Sequence, residues 1–502
     1  MKKFMKLKWS LLAVLFGLII ISSCKKNFLD RQPLGRYVDS DVPQGSFDSK
    51  VFALYALLRD NGYNNHLYLA IENFRSDMAE KGSSETDGAS TGLMFDQFQY
   101  NKSDGSIQGY WTSHYAVIIA ANAIIHDIDS LNLSDPNTLI NKGEAEFLRA
   151  YTYFHLVRTF GEVPLFTTKI TDAAQVNVPK SPVSTIFEQI DKDAQDAAAV
   201  LPLSWGPQYT GRLTKGAAMT LQTKGALWRK NWAGALGFAK TIISSNQYSL
   251  VKDYQSQFRK TGENGPESIF EIQAFYTPTQ NLGIIYANVQ GVRGAGQWDL
   301  GWGWNVPTQK LVDEFEIGDP RKAATILYSG QVDPIYGQLV PSYPGVVPRP
   351  YWNMKIYTNP SDRQTLNNRF GPWMNHRLYR YADVLLMAAE AANELGGAQN
   401  TTDALAWLEM VRARARGSNA AILPEVTTTD QDELRNAIRH ERAVELGMEE
   451  QRFWDLVRWG IDVTVLPASG SPGYLQKNRL LPLPQGEVDK SGGVLVQNPD
   501  YQ

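Results

Sequence analysis

The stretch Gln297-Trp298-Asp-Leu-Gly-Trp302-Gly-Trp304-Asn305 places three tryptophans within seven residues, separated by glycines at 301 and 303. The spacing is not helical, and the glycines permit unusual backbone turns. A sugar ring has apolar C–H faces and a hydroxyl rim. It is matched by a flat aromatic platform and a few directed polar groups, and Trp supplies a large, rigid surface of that kind. The alternative is that these side chains pin the loop to a core, and at least one of the three is expected to do so. Tyr276, Arg293 and Asn305 flank the cluster and could complete such a site. Tyr351-Trp352 reads as packing.

The catalytic motifs that the chain approaches are each incomplete. Gly88-Ala-Ser-Thr-Gly92 fits the string of a nucleophile elbow, which needs a strand before it and a helix after it. This segment reads as a polar loop with neither, so the match is attributed to chance. His440-Glu441-Arg-Ala-Val-Glu445 lacks the second His of a zinc-protease helix. Six His and one Cys offer no close cluster for a transition metal. Neither a phosphate-binding nor a dinucleotide-binding glycine loop is present. A glycosidase needs two carboxylates at a set distance, and no motif argues for one. The reading therefore assigns no catalytic residue, no metal and no cofactor.

The 502-residue chain begins with Lys2, Lys3, Lys6 and Lys8, followed by an apolar run from Leu11 to Ile21. That run has signal-peptide length and falls short of the roughly 20 residues a spanning helix needs. Ile21-Ser-Ser-Cys24 then resembles a bacterial lipobox, in which the cysteine is lipidated and becomes the new N-terminus. Cys24 is the only cysteine in the chain, so it has no internal disulfide partner. Several acyl chains, at about 0.8 kcal/mol per buried methylene, make a durable anchor. Residues 1–23 thus read as a signal peptide and 24–40 as a lipidated tether. Net charge is −3 with no dominant basic cluster, which argues against nucleic acid.

Residues 41–502 read as one domain of mainly α class. Helical periodicity marks 48–60, 110–129, 139–160, 184–201, 214–228, 232–244, 381–395, 402–416, 430–446 and 450–459. Several of these form tetratricopeptide-like pairs, with small residues at close crossings. Ala218, Leu221, Gly225 and Ala226 face Trp232, Ala235, Leu236 and Ala239. Ala388, Ala389, Ala391 and Ala392 face Leu405, Leu408 and Val411. The helical scaffold covers about 41–246 and 378–502. Between its parts, about 247–377 is a loop-rich, aromatic-rich subdomain suited to carry a ligand site. A second irregular stretch, 76–109, is long enough to suggest function.

Four motifs spread along the chain give it a family resemblance. They are Arg149-Ala-Tyr-Thr-Tyr-Phe-His-Leu-Val-Arg-Thr-Phe-Gly161 with Val163-Pro164, then Arg380-Tyr-Ala-Asp-Val-Leu-Leu-Met-Ala-Ala-Glu-Ala-Ala392. Next come Glu441-Arg442 through Arg452-Phe-Trp-Asp-Leu-Val-Arg-Trp-Gly460, and Leu481-Pro-Leu-Pro484 with Gln497-Asn-Pro-Asp-Tyr501. Asp319-Pro-Arg321 is a weaker fifth. In this order, behind a lipobox, they resemble the SusD-like (RagB/SusD) family of outer-membrane nutrient-binding lipoproteins.

The resemblance implies tetratricopeptide-like units and a lid-like position on a SusC-like, TonB-dependent β-barrel transporter. It also implies an oligosaccharide cargo, with peptides in some relatives, and ligand contacts drawn from the first irregular loop as well as the Trp-rich one. That adds Arg75 and Asp77 as donors and acceptors for hydroxyls and Tyr100 as a stacking face. Glu390, Arg442, Glu445, Arg452, Asp455 and Arg458 are expected to form buried ion pairs, with Arg452 in reach of Asp455. A protein-interaction scaffold and a surface glycosidase remain as alternatives.

Overall fold

Side-chain caps start half of the longer helices. The computed structural model describes residues 47–59 and 61–501. The segments read as signal peptide and tether, with Cys24, lie outside the described residues. Helix α1 spans Asp48–Leu57. Strand β1 is Ala79–Gly82 and helix α2 is Ala89–Phe95. Helix α3 (Gly105–Ser130) starts where Asp104 accepts Ser106 N–H at 2.7 Å. Helix α4 (Pro136–Phe160) starts where Asp135 accepts Thr138 N–H at 3.1 Å, with proline in its first turn.

Helices α5 (Val183–Val200), α6 (Lys215–Trp228) and α7 (Trp232–Ser244) follow. The chain resumes long helices with α8 (Tyr381–Leu395), α9 (Ala398–Arg416), α10 (Gln431–Glu445) and α11 (Arg452–Trp459). Among the described residues, no helix is long and apolar enough to cross a membrane.

Helices α3 to α8 form a stack in which each packs on the next, and α8 also packs on α9 and α10. The small residues named above explain the close approach. Ala235 and Ala239 of α7 and Ala388, Ala389, Ala391 and Ala392 of α8 are all fully buried. The pairs are interrupted in sequence, yet α7 packs directly on α8 across the intervening subdomain. The stack is therefore continuous in space.

The subdomain between α7 and α8 has a neck. Its first strand, β2 (Ser268–Ile272), pairs antiparallel with its last, β8 (His376–Arg380). Inside lie a hairpin of β3 (Phe275–Thr277) and β4 (Gln280–Leu282), strand β5 (Trp304–Pro307), and the pair β6 (Ile326–Tyr328) and β7 (Tyr351–Asn353). A buried ion network fastens this subdomain to α10. Arg380 reaches Glu267 at 2.8 Å and Glu445 at 2.6 Å, and Arg321 reaches Glu445 at 3.1 Å. Lys355 meets Glu449 at 2.5 Å. Burial pulls the Lys355 ammonium down to about 8, against the opposing pull of Glu449.

Two expectations are corrected here. Arg452 does not pair with Asp455. Its guanidinium holds Asp77 at 2.8 and 2.9 Å, while Asp455 is taken by Arg442 at 2.9 Å and Arg458 at 2.7 Å. The one-turn spacing allowed the local contact, but the tertiary fold offered closer partners to both. Residues 76–109 are also less irregular than expected. They contain β1 and α2, so Gly88-Ala-Ser-Thr-Gly92 is not a loop: Gly88 is the N-cap and the next four residues open the helix. Ser90 is exposed on its first turn.

Candidate functional site

The two irregular stretches meet. Strand β1 pairs antiparallel with β5, with Gly82 opposite Trp304, Glu80 opposite Val306 and Ala79 opposite Pro307. The turn that carries the tryptophans is set by its backbone. Leu300 N–H bonds Val292 O, Trp302 N–H bonds Asn288 O and Gly303 N–H bonds Gly291 O, each at 2.9 Å. Gly303 has φ +72°, and a Cβ there would lie 2.7 Å from Arg293 Cβ and 2.9 Å from the Trp352 ring. Only glycine fits that turn.

An aromatic ledge results at the seam. Trp302 is half-buried, and its ring stands edge-on to Trp304 at 5.8 Å. His66 completes the group, 5.4 Å from Trp302 and 5.7 Å from Trp304. Burial holds the His66 imidazole below its ordinary pKa and favours the neutral ring. His66 opens a one-turn helix, His66–Leu69, capped by the Asn65 side chain.

The polar rim comes from both stretches. Asp87 accepts Trp304 Nε1–H at 3.2 Å, Ser83 O–H at 2.7 Å and Arg293 at 2.5 Å. Partial burial opposes its charge, but these donors and the Arg293 and Lys81 cations hold the carboxylate below its usual range. Lys81 sits over the Trp304 ring at 5.5 Å. Gly88, at φ +62°, lets the loop lie on that ring, since a Cβ there would come within 2.5 Å of it. Beneath β5 a ladder of amides stiffens the ledge. Asn73 donates to Asn305 at 2.7 Å, Asn305 to Gln290 at 2.7 Å and Asn353 to Gln290 at 2.8 Å.

The residues named from the sequence thus separate. Trp302, Trp304 and Arg293 come together at the ledge. Trp298 does not: it is buried and stacked parallel to Tyr357 at 6.0 Å, a pin for the loop. Asn305 is fully buried within the amide ladder. Arg75 is fully buried, donating to Arg479 O at 2.8 Å with its guanidinium 4.0 Å from the Phe453 ring. Asp77 is spent on Arg452. Tyr100 donates to Asn478 O at 3.1 Å. Tyr276 packs on Trp373 at 6.4 Å on the β3–β4 hairpin.

Arg75, Asp77 and Asn305 are corrected from ligand contacts to internal ones. A buried charge or amide without water must find protein partners. Asp77 and Asn305 have found them. Arg75 bonds carbonyls through Nη2 alone and lies against Phe453, with its Nε and Nη1 left without a hydrogen-bond partner among the described residues. His66, Lys81 and Asp87 were missed. No spacing in the sequence distinguishes them, because each becomes notable only through its neighbours across the seam.

Among the described residues no group of three or more His, Cys, Asp or Glu could hold a metal. A cavity of about 650 Å³ lies elsewhere, between α3 and the segment 487–495, with Trp111, Tyr115 and Ile119 in its wall. It is mostly apolar, and none of the residues named from the sequence lines it. The ledge, with its mixed aromatic and polar surface, is the better match to a hydroxyl-rich ligand.

Comparison with known proteins agrees over most of the chain. A family model described as "SusD family" matches residues 266–501. A second, described as "Starch-binding associating with outer membrane", matches 27–225. SusD-like protein P2 of Formosa agariphila is 29% identical over 453 residues, covering 85% of this chain and 86% of that one. Among solved structures, a laminarin-binding SusD-like protein aligns with a TM-score of 0.75 at 27% identity, over 90% of this chain and 98% of that one. Surface glycan-binding protein A from Bacteroides thetaiotaomicron, in complex with laminarihexaose, has a TM-score of 0.74. It covers 90% of this chain and 98% of its own, and at 24% identity it speaks for the fold alone.

Proposed function

The chain belongs to the SusD-like family, and on that premise we propose that it is a glycan-binding lipoprotein of the outer membrane rather than an enzyme. It captures an oligosaccharide on the Trp302 ledge and passes it to a SusC-like, TonB-dependent barrel. Lipidation at Cys24 anchors it. The observation that carries this reading is the seam itself. A half-buried indole is braced by Trp304 and His66 and rimmed by Asp87 and Arg293. The indole face serves the apolar side of a sugar, and the rim serves its hydroxyls. A laminarin-binding relative with the same fold points to a β-glucan as the first probe.

The ledge holds its geometry without ligand, because the amide ladder and the β1–β5 pairing fix both walls. Binding therefore loses little to loop ordering. Calorimetry of the chain lacking residues 1–24 against a glycan panel tests the reading, with laminarin first and Trp302→Ala beside it. Binding that the substitution weakens about tenfold, about 1.4 kcal/mol, supports it. No binding to any glycan returns the chain to a peptide cargo or to a tetratricopeptide-type interaction scaffold.

A further inference from the structure

A second aromatic surface lies away from the ledge, where α1 meets the loop 203–212 and the edge of β2. Two cavities of about 300 Å³ each flank the segment Thr210–Arg212 and share it as a common wall. Phe52 and Tyr209 leave 43% and 36% of their surfaces exposed there. Phe275 and Leu282, opposite each other on the adjoining hairpin, are 50% and 43% exposed. Large apolar side chains grouped on a surface in this way mark interaction sites.

The surface is built and rigid. The Arg212 guanidinium stacks 4.2 Å from the Trp205 ring, 5.1 Å from Tyr209 and 5.2 Å from Phe52. Glu144 grips the same guanidinium at 2.9 and 2.6 Å, and Asp48 adds a contact at 3.1 Å. Trp205 Nε1–H is fixed on Leu213 O at 2.8 Å, and Leu213 N–H on Tyr55 Oη at 2.8 Å.

Its buried charges are already answered. Arg212 is neutralised by two carboxylates, and Glu271 accepts from Asn375 at 2.8 Å and Asn264 N–H at 3.2 Å. At the rim, Arg59 donates to Leu282 O at 3.3 Å. What faces the cleft is aromatic surface with the neutral amides of Gln208 and Gln273, and the Arg59 guanidinium stands at its edge. That chemistry suits an uncharged, polyhydroxylated ligand.

We propose that this cleft is a second contact for the same neutral glycan, an inference that rests on the glycan-binding reading of the ledge. Arg59 at the cleft and His66 at the ledge are seven residues apart, so their Cα atoms lie within about 25 Å. One long glycan chain then engages both contacts, and the second becomes an intramolecular event that raises retention of polymer over fragment.

The test compares a three-sugar laminarin fragment with laminarin itself, on wild type, Tyr209→Ala, Trp302→Ala and the double variant. Gln208→Ala serves as a second change in the cleft, and circular dichroism with melting confirms folding of each. Calorimetry should find two fragments per wild-type chain, one in each single Tyr209 or Trp302 variant and none in the double. Gel retardation by laminarin should fall at least tenfold in Tyr209→Ala and measurably in Gln208→Ala. One fragment per wild-type chain, lost in Trp302→Ala and untouched by Tyr209→Ala, rejects the cleft and leaves the ledge standing. One fragment lost only in Tyr209→Ala keeps the cleft and rejects the ledge. No binding by wild type rejects the glycan reading and this inference with it.

Discussion

The indole N–H of Trp304 donates to the carboxylate of Asp87 at 3.2 Å, across 217 residues of sequence. The same carboxylate gathers Ser83 and Arg293. Asp87 is thus the knot between the two stretches that make the ledge, and it is held by the buried indole that braces Trp302.

Removing the knot should loosen the ledge more than the protein. For Asp87→Ala we expect a stability loss of about 1 kcal/mol, since the site is partly solvated. Glycan affinity should fall about three- to tenfold. Amide exchange reads the cause: the Ser83 N–H, bonded to Gly303 O at 2.7 Å, should lose protection. Unchanged protection at Ser83 would mean that Asp87 does not tie the seam.

Trp302 and Trp298 should behave as opposites, although four residues apart. Trp302→Ala removes a half-exposed face and should weaken glycan binding about tenfold with little change in melting. Trp298→Ala empties a buried site against Tyr357 and should cost about 3–5 kcal/mol. Urea denaturation and calorimetry on both variants separate the roles. Loss of binding in a fully folded Trp298→Ala would contradict the assignment of that side chain as a pin.

Asp77 joins α11 to the segment before β1 through Arg452. The Asp77 carboxylate is fully buried, so Asp77→Ala strands a charged guanidinium. The expected loss is about 3–5 kcal/mol, with affinity of the folded fraction unchanged. Denaturation midpoints measure the first part and calorimetry below the transition the second. A large affinity loss in stable protein would restore Asp77 to the ligand.

Glu146 gives the stability of α4 a pH signature. Burial pushes its carboxyl up to about 7, against the attraction of Lys142 at 3.8 Å. Between the ordinary carboxylate value and 7 the folded state binds more protons than the unfolded one, so stability falls as pH rises through that window. Glu146→Gln should remove this slope and stabilise the protein at pH 8 by about 1–3 kcal/mol. Equal stability changes at pH 4 and pH 8 would show that Glu146 titrates normally.

Much of the scaffold was legible because its causes are local. Capping residues, 3.6-residue periodicity and alanine-lined faces lie within one helix or one turn. Trp232–Ser244 and Tyr381–Leu395 form over the ranges their periodicity predicts, and Pro136–Phe160 begins three residues earlier, at its Asp135 cap. The ion-pair residues were legible as a set: Glu390, Arg442, Glu445, Asp455 and Arg458 are all buried or nearly so and paired. The pairing itself was not. Arg452 chose Asp77, 375 residues away, over the acid one turn on.

The site divides in the same way. From the sequence alone one reads the helical class, the family resemblance, the lipobox-like segment at Cys24, and an aromatic cluster at 298–304 that combines pinning with display. Which indole pins and which is displayed was decided by tertiary structure. Composition and spacing state what a side chain can do, and burial states what it is free to do. Trp298 and Trp302 have the same chemistry, but one faces Tyr357 and the other faces the seam. That orientation depends on β1 meeting β5, a pairing between distant segments that no local period encodes.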